Sequence, residues 1–131
     1  MRQQLLDYLK TNLTGTIKVS EEQPYNEKGV DLFIKNPRRV YLEEPFVESS
    51  VILNTLDQTN VVSERITHVL GHLAVDAKNR NTDLDAALII LANAKNAITS
   101  NSFRKEFGYT VSINNDIIVY TLEYRFYSLT T

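Results

Sequence analysis

The sequence predicts an α+β fold: a mainly antiparallel, mixed sheet with two packing helices, about residues 1–13 and 82–100, and a C-terminal β-hairpin, all in one domain. Three observations carry this. Apolar residues over residues 61–75 fall on both parities, with Val61, Val69, Leu73 and Val75 on one and Val62, Ile66, Leu70 and Ala74 on the other. This is the pattern of a long strand covered on both faces. A polar break over residues 76–81 follows, and Leu84, Ala87, Leu88, Leu91, Ala94 and Ile98 then recur at a period near 3.6, as in a helix laid on a sheet. Near the C-terminus, two alternating runs flank Asn114-Asn115-Asp116, whose residues tolerate the positive φ that tight hairpins need.

In chain order, Leu5, Leu6, Leu9 and Leu13, with Tyr8 beside them, mark one side of the first helix, and Gly15 stands where a C-terminal cap is expected. Residues 16–20 alternate Ile17 and Val19 with polar residues, a short strand. A loop over residues 21–29, with Pro24, Asn26 and Gly29, leads to a strand at 30–35, a turn at Asn36-Pro37 and a strand at 38–42 that stops at Glu43-Glu44-Pro45. Residues 46–60 read as a long, partly ordered hairpin or excursion with its tip at 57–60. Thr82 is placed to cap the second helix, and Asp83 and Asp85 lie where its dipole favours negative charge. Gly108 is expected to open the last strand pair. In the second of those strands Ile118, Tyr120, Leu122, Tyr124 and Phe126 face one way, and Ile117, Val119, Thr121, Glu123, Arg125 and Tyr127 the other. One side is core; the other is apolar enough to meet a second packing layer or another subunit.

Composition narrows the function. Among 131 residues, 43% are apolar and 23% charged, with a formal net charge of −2, which argues against disorder and against general nucleic-acid binding. Without cysteine there are no disulfides, thiolate metal sites or cysteine nucleophiles. No segment reads as a signal peptide or a membrane span, so the expected compartment is cytoplasm.

The candidate chemistry is sparse. His68 and His72 lie four apart on the proposed strand, about 13 Å from each other, too far to chelate one metal unaided. Asp83 with Asp85 reads as helix capping, and Glu43 with Glu44 as a solvated strand end. Ser49-Ser50 has no neighbouring base, and four scattered glycines make no phosphate loop. No enzymatic constellation or cofactor is expected. Two basic pairs, Arg38-Arg39 and Arg104-Lys105, make a partner patch only if the fold joins them. The acids Glu43, Glu44, Glu48, Asp57 and Glu64 make residues 43–64 locally electronegative, with no base in sequence before Arg65.

The element order and several local strings resemble the tail terminator proteins of long-tailed bacteriophages with non-contractile tails. The strings are the first helix, Lys35-Asn36-Pro37-Arg38-Arg39-Val40-Tyr41, Asn54-Thr55-Leu56-Asp57 ahead of Val61-Val62-Ser63-Glu64, Val75-Asp76-Ala77-Lys78, Ser102-Phe103-Arg104-Lys105-Glu106 and Tyr124-Arg125-Phe126. The resemblance implies a virion structural protein, not an enzyme, that forms a homohexameric ring on the finished tail tube, stops polymerisation and offers a head-joining surface. The implied partners are its own copies, the major tail tube protein and a head-tail connector, with viral DNA passing unread through the lumen and no membrane. It would act at the neck end of the tail after assembly in the host cytoplasm. Interface candidates are Arg38, Arg39, Glu43, Glu44, Glu48, Asp57, Arg104, Lys105, Glu123, Arg125 and Tyr127. Acids lining the lumen would let DNA slide by repelling it. The alternatives are another neck or head-completion protein and, from a different class, a small ligand-binding or metal-dependent domain beside the two histidines.

Overall fold

The computed structural model describes residues 1–21, 38–54, 61–76, 82–99, 102–114 and 116–130. Helix α1 (Arg2–Asn12) leads to strands β1 (Lys18–Val19), β2 (Arg39–Leu42), β3 (Phe46–Asn54) and β4 (Val61–Asp76). Helix α2 (Thr82–Asn93), a 3₁₀ turn (Ala94–Ala97), β5 (Arg104–Asn114) and β6 (Ile117–Thr130) follow. The expected strand at 30–35, the turn at Asn36-Pro37 and the tip at 57–60, with Asp57, lie outside the described residues.

The sheet is built around β4. At about 3.4 Å per residue its 16 residues reach roughly 54 Å, too long for one short neighbour to cover. One side pairs with β6 over all but its first two residues, from Ser63 opposite Thr130 to Asp76 opposite Ile117. On the other side two strands share it, β3 beside the N-terminal half and β2 beside the C-terminal half. Glu43-Glu44-Pro45 separates them, as the proline predicts. Strand β1 adds parallel to β2, β5 adds antiparallel to β6, and all other pairings are antiparallel.

Both helices lie against one face. Leu5, Leu6 and Leu9 of α1 and Leu84, Ala87 and Leu91 of α2 are buried against Val40 and Leu42 of β2, Val69, Leu73 and Val75 of β4 and the even-numbered residues 118–126 of β6. The β6 alternation read from sequence is therefore borne out. Gly71 sits in this layer because nothing larger fits: a Cβ there would come within 2.7 Å of Leu42 Cδ2 and 3.0 Å of the Tyr41 carbonyl oxygen.

Four local expectations are corrected. Helix α1 ends on Leu13, an extended residue whose N–H donates to the Leu9 carbonyl at 2.8 Å, so the cap is not Gly15. A buried leucine that must turn inward ends the helix first. The α-helical part of the second helix stops at Asn93; the tighter turn after it brings Ile98 into the core. The buried Tyr124 hydroxyl donates to the Leu91 carbonyl and ties this helix end to β6. The hairpin or excursion expected at residues 46–60 is, as far as Asn54, a nine-residue strand paired antiparallel with the first half of β4, with one register shift between Val51 and Leu53. Finally, Gly108 lies inside β5 opposite Glu123 and does not open it. The capping proposed for Thr82 and Asp83 falls outside the described side chains, and Asp85 is exposed.

Candidate interaction surface

Because both helices share one face, parity and register alone decide what the other face presents. It carries the even-numbered residues of β4 and β5, those of β3 as far as Val51, and the odd-numbered residues of β2 and β6. At one level the register sets Phe46, His68, Arg125 and Glu106 side by side across β3, β4, β6 and β5.

His68 anchors this row. Its Nδ1 is 2.9 Å from Glu123 Oε1, and a carboxylate only accepts, so Nδ1 carries a proton. Its Nε2 is 3.3 Å from Glu48 Oε1, an ion-pair distance, yet it is buried and makes no hydrogen bond. The Phe46 ring stacks on the imidazole at 4.7 Å and 9°, which keeps solvent off that side. The row continues through charge: Arg125 Nη2 is 3.1 Å from Glu106 Oε2, Glu106 Oε1 is 3.0 Å from Arg104 Nε, and the Tyr127 hydroxyl donates to Glu106 Oε2 at 3.2 Å. The Arg104 guanidinium lies 4.0 Å over the Tyr127 ring. Acid and base alternate across four strands. The members other than His68 are partly exposed, so solvent screening leaves each pair little weight in stability, and the network chiefly fixes lateral register.

The other candidates disperse. His72 Nε2 pairs with Glu43 at 3.0 Å, Glu44 with Arg2 at 3.7 Å, and Arg38 with Asp76 at 3.8 Å. The acids at 43, 44 and 48 are thus each set beside a side chain from another element, His72, Arg2 and His68 respectively. Nor do the two basic pairs meet. Arg39 is on β2 opposite Ala74, whereas Arg104 on β5 is at the level of Ile66, with β4 and β6 between them. Lys105 Nζ instead donates to the Ile98 carbonyl at 2.6 Å. Glu123, Arg125 and Tyr127 are the candidates the fold brings together, with Glu48 and Arg104 at either end.

Sequence reasoning missed Phe46 and Glu106 as members of this surface. Glu106 was within reach: a two-residue loop after Asn114 sets Glu106 opposite Arg125 by counting alone. Phe46 was not, because its place depends on the β3–β4 register.

Two hollows are small beside the roughly 300–1,000 Å³ of most ligand pockets. An apolar crevice of about 110 Å³ lies between the end of α1 and Ala86, Ala87 and Ile90 of α2. The other, about 180 Å³, opens on the helix-free face between Leu70, Gly108, Thr110, Thr121, Glu123 and Arg125. Among the described residues no group of three or more His, Asp or Glu is placed to hold a metal, and no helix is long and apolar enough to cross a membrane.

The fold defines an α+β protein with two helices on one face of a mixed, mostly antiparallel sheet and an ordered charge row on the other. Compared with known proteins, the chain matches no family model and no curated protein.

Proposed function

We propose that the protein is a structural subunit that assembles with copies of itself into a ring capping a bacteriophage tail tube, ending its growth and providing the surface that joins the head. The observation that carries the reading is the one-sided architecture. Both helices pack on one face, the other presents a row of alternating charge across four strands, and β3 and β5 are outer strands among the described residues. A rigid sheet with two different edges is suited to heterologous contacts, which close into rings when the rotation between copies allows it. The similarity of element order and local strings to tail terminators supplies the tail context. In this reading Glu48, His68, Glu123, Arg125, Glu106 and Arg104 hold the sheet's shape, and catalysis has no part.

The test is assembly of tail tubes from the matching tube protein, with and without this chain, with lengths and ends observed by negative-stain electron microscopy. Tubes of limited length with added density at one end are the expected result. Unchanged tubes with bare ends, from folded protein, would move the assignment to another neck or head-completion protein.

A further inference from the structure

Among the described residues, two of the outer strands, β3 and β5, carry matching apolar rows. On the helix side of β3, Val47 and Val51 are each 57% exposed. On the helix side of β5, Tyr109, Val111 and Ile113 are 47%, 50% and 74% exposed. An exposed, apolar edge of this length is what soluble proteins ordinarily blunt with lysine, proline or a bulge. From Gly108 to Ile113, β5 has none of these: its side chains are apolar or hydroxyl-bearing, and its pairing with β6 is regular throughout.

We propose that β3 of one copy pairs with β5 of the next, extending the sheet from subunit to subunit. Topology fixes the sense. Strand β3 runs antiparallel to β4, β4 to β6 and β6 to β5, so β3 and β5 run in opposite directions and meet as an antiparallel pair when copies repeat side by side. Parity fixes the faces. Even-numbered residues of β5, and of β3 as far as its register shift after Val51, point to the helix-free side, so helix-side odd residues must meet odd.

One register then matches the rows. Val47 stands opposite Ile113, Ser49 opposite Val111 and Val51 opposite Tyr109, so the two apolar pairs, each four residues apart, coincide. On the helix-free side Glu48 falls opposite Ser112 and Ser50 opposite Thr110, and the carboxylate meets a hydroxyl donor. Aromatic and β-branched partners directly opposite one another are the favourable cross-strand pairs. The register also offsets successive copies along the strands, the kind of stagger a closed sheet requires. A twofold β5–β5 pairing would cover Tyr109, Val111 and Ile113 as well, but would leave Val47 and Val51 exposed. The head-to-tail arrangement covers both rows.

This inference rests on the self-assembly part of the proposed function and is independent of the tail. Since the chain contains no cysteine, the pairing can be read by disulfide trapping. Directly opposed residues have Cβ atoms about 4.5–5.5 Å apart, which small shifts bring into disulfide range. The full-length double variant Val51→Cys with Tyr109→Cys, concentrated and mildly oxidised, is expected to give a ladder of dimer, trimer and larger species that collapses on reduction. Val111→Cys alone is expected to stay monomeric, because its opposite residue is Ser49. Dimers of Val111→Cys without a ladder from the double variant would overturn the proposal in favour of twofold pairing. So would a double variant that is folded by circular dichroism and links no better than the control pair Gln3→Cys with Tyr109→Cys. A ladder together with uncapped tail tubes would remove the tail reading and leave the pairing standing; capped tubes without a ladder would do the reverse.

Discussion

At the residue scale, the informative positions are those where one atom decides. Two glycines lie in one sheet, on β4 and β5 with β6 between them, yet their substitutions should move stability in opposite directions. Gly71→Ala forces a methyl against Leu42 and the Tyr41 carbonyl, and is expected to cost about 1–3 kcal/mol in urea unfolding. Gly108→Ala meets nothing within 4 Å and should be neutral or stabilising by up to about 1 kcal/mol, because alanine loses less backbone freedom on folding. Tyr124 gives a pH dependence. Burial, with a smaller contribution from Tyr8, pushes its phenol well above the usual 10.0. Below about pH 10 both folded and unfolded chains keep this proton, so its contribution to stability is fully present there. Above that, the unfolded chain releases the proton while the folded chain holds it, and stability falls by at most about 1.4 kcal/mol per pH unit from this residue. Tyr124→Phe should lose roughly 1 kcal/mol at neutral pH with its bond to Leu91, and should show a shallower loss between neutral pH and about pH 11 in urea titrations. An equal alkaline slope in both proteins would assign the loss to other groups.

Among the elements, β3 is the one whose attachment is most local. Within the described sheet it pairs with β4 alone, and Phe46 stacked on His68 is its main aromatic contact. His68→Ala should therefore speed amide exchange over residues 46–51 by roughly tenfold, about 1.4 kcal/mol of local opening, while β6 amides opposite the C-terminal half of β4 stay protected. Uniform acceleration in β3 and β6 would mean that His68 supports the whole sheet. The same element shows where sequence reading stops. Val47 and Val51 share a parity, but the run around them looked irregular because β3 buries neither of them in this chain. Strand alternation is legible only when one face is covered. The final hairpin shows the reverse: even positions of β6 meet the helices, so its pattern was clear, and its turn residues set the β5 register.

For the whole molecule, lateral fit of the sheet matters more than any single ion pair. Arg125→Glu puts a fourth acid into a row that already holds Glu48, Glu106 and Glu123 and leaves His68 and Arg104 as its bases. The expected outcome is a lower melting temperature, restored in part by Glu106→Arg, which returns opposite charges to the pair. Rescue is the discriminating result, since failure of the second change to recover stability would show that Arg125 acts through packing and not through Glu106. Molecule-wide charge patterning follows the same logic. The acids at 43, 44 and 48 looked like an electronegative tract along the chain, and the fold set Arg2, His72 and His68 beside them.

What the sequence determined by itself was every property set by neighbours within a few residues: the α+β class, the two helices, the long central strand, the stop at Pro45 and the terminal hairpin with the faces of its second strand. Those follow from periodicity, proline and turn chemistry, which act over distances the chain itself fixes. Tertiary structure alone decided that both helices lie on one side, that β2 and β3 share one flank of β4, and that Phe46, His68, Arg125 and Glu106 form a single row. These are relations between segments up to about 80 residues apart in the chain. They depend on strand order and register, and a hydrophobic pattern with a period of two is satisfied equally by every shift of two residues. Only simultaneous packing of the leucines of α1 and α2 against β2, β4 and β6 selects one of those shifts, and with it the surface the protein presents.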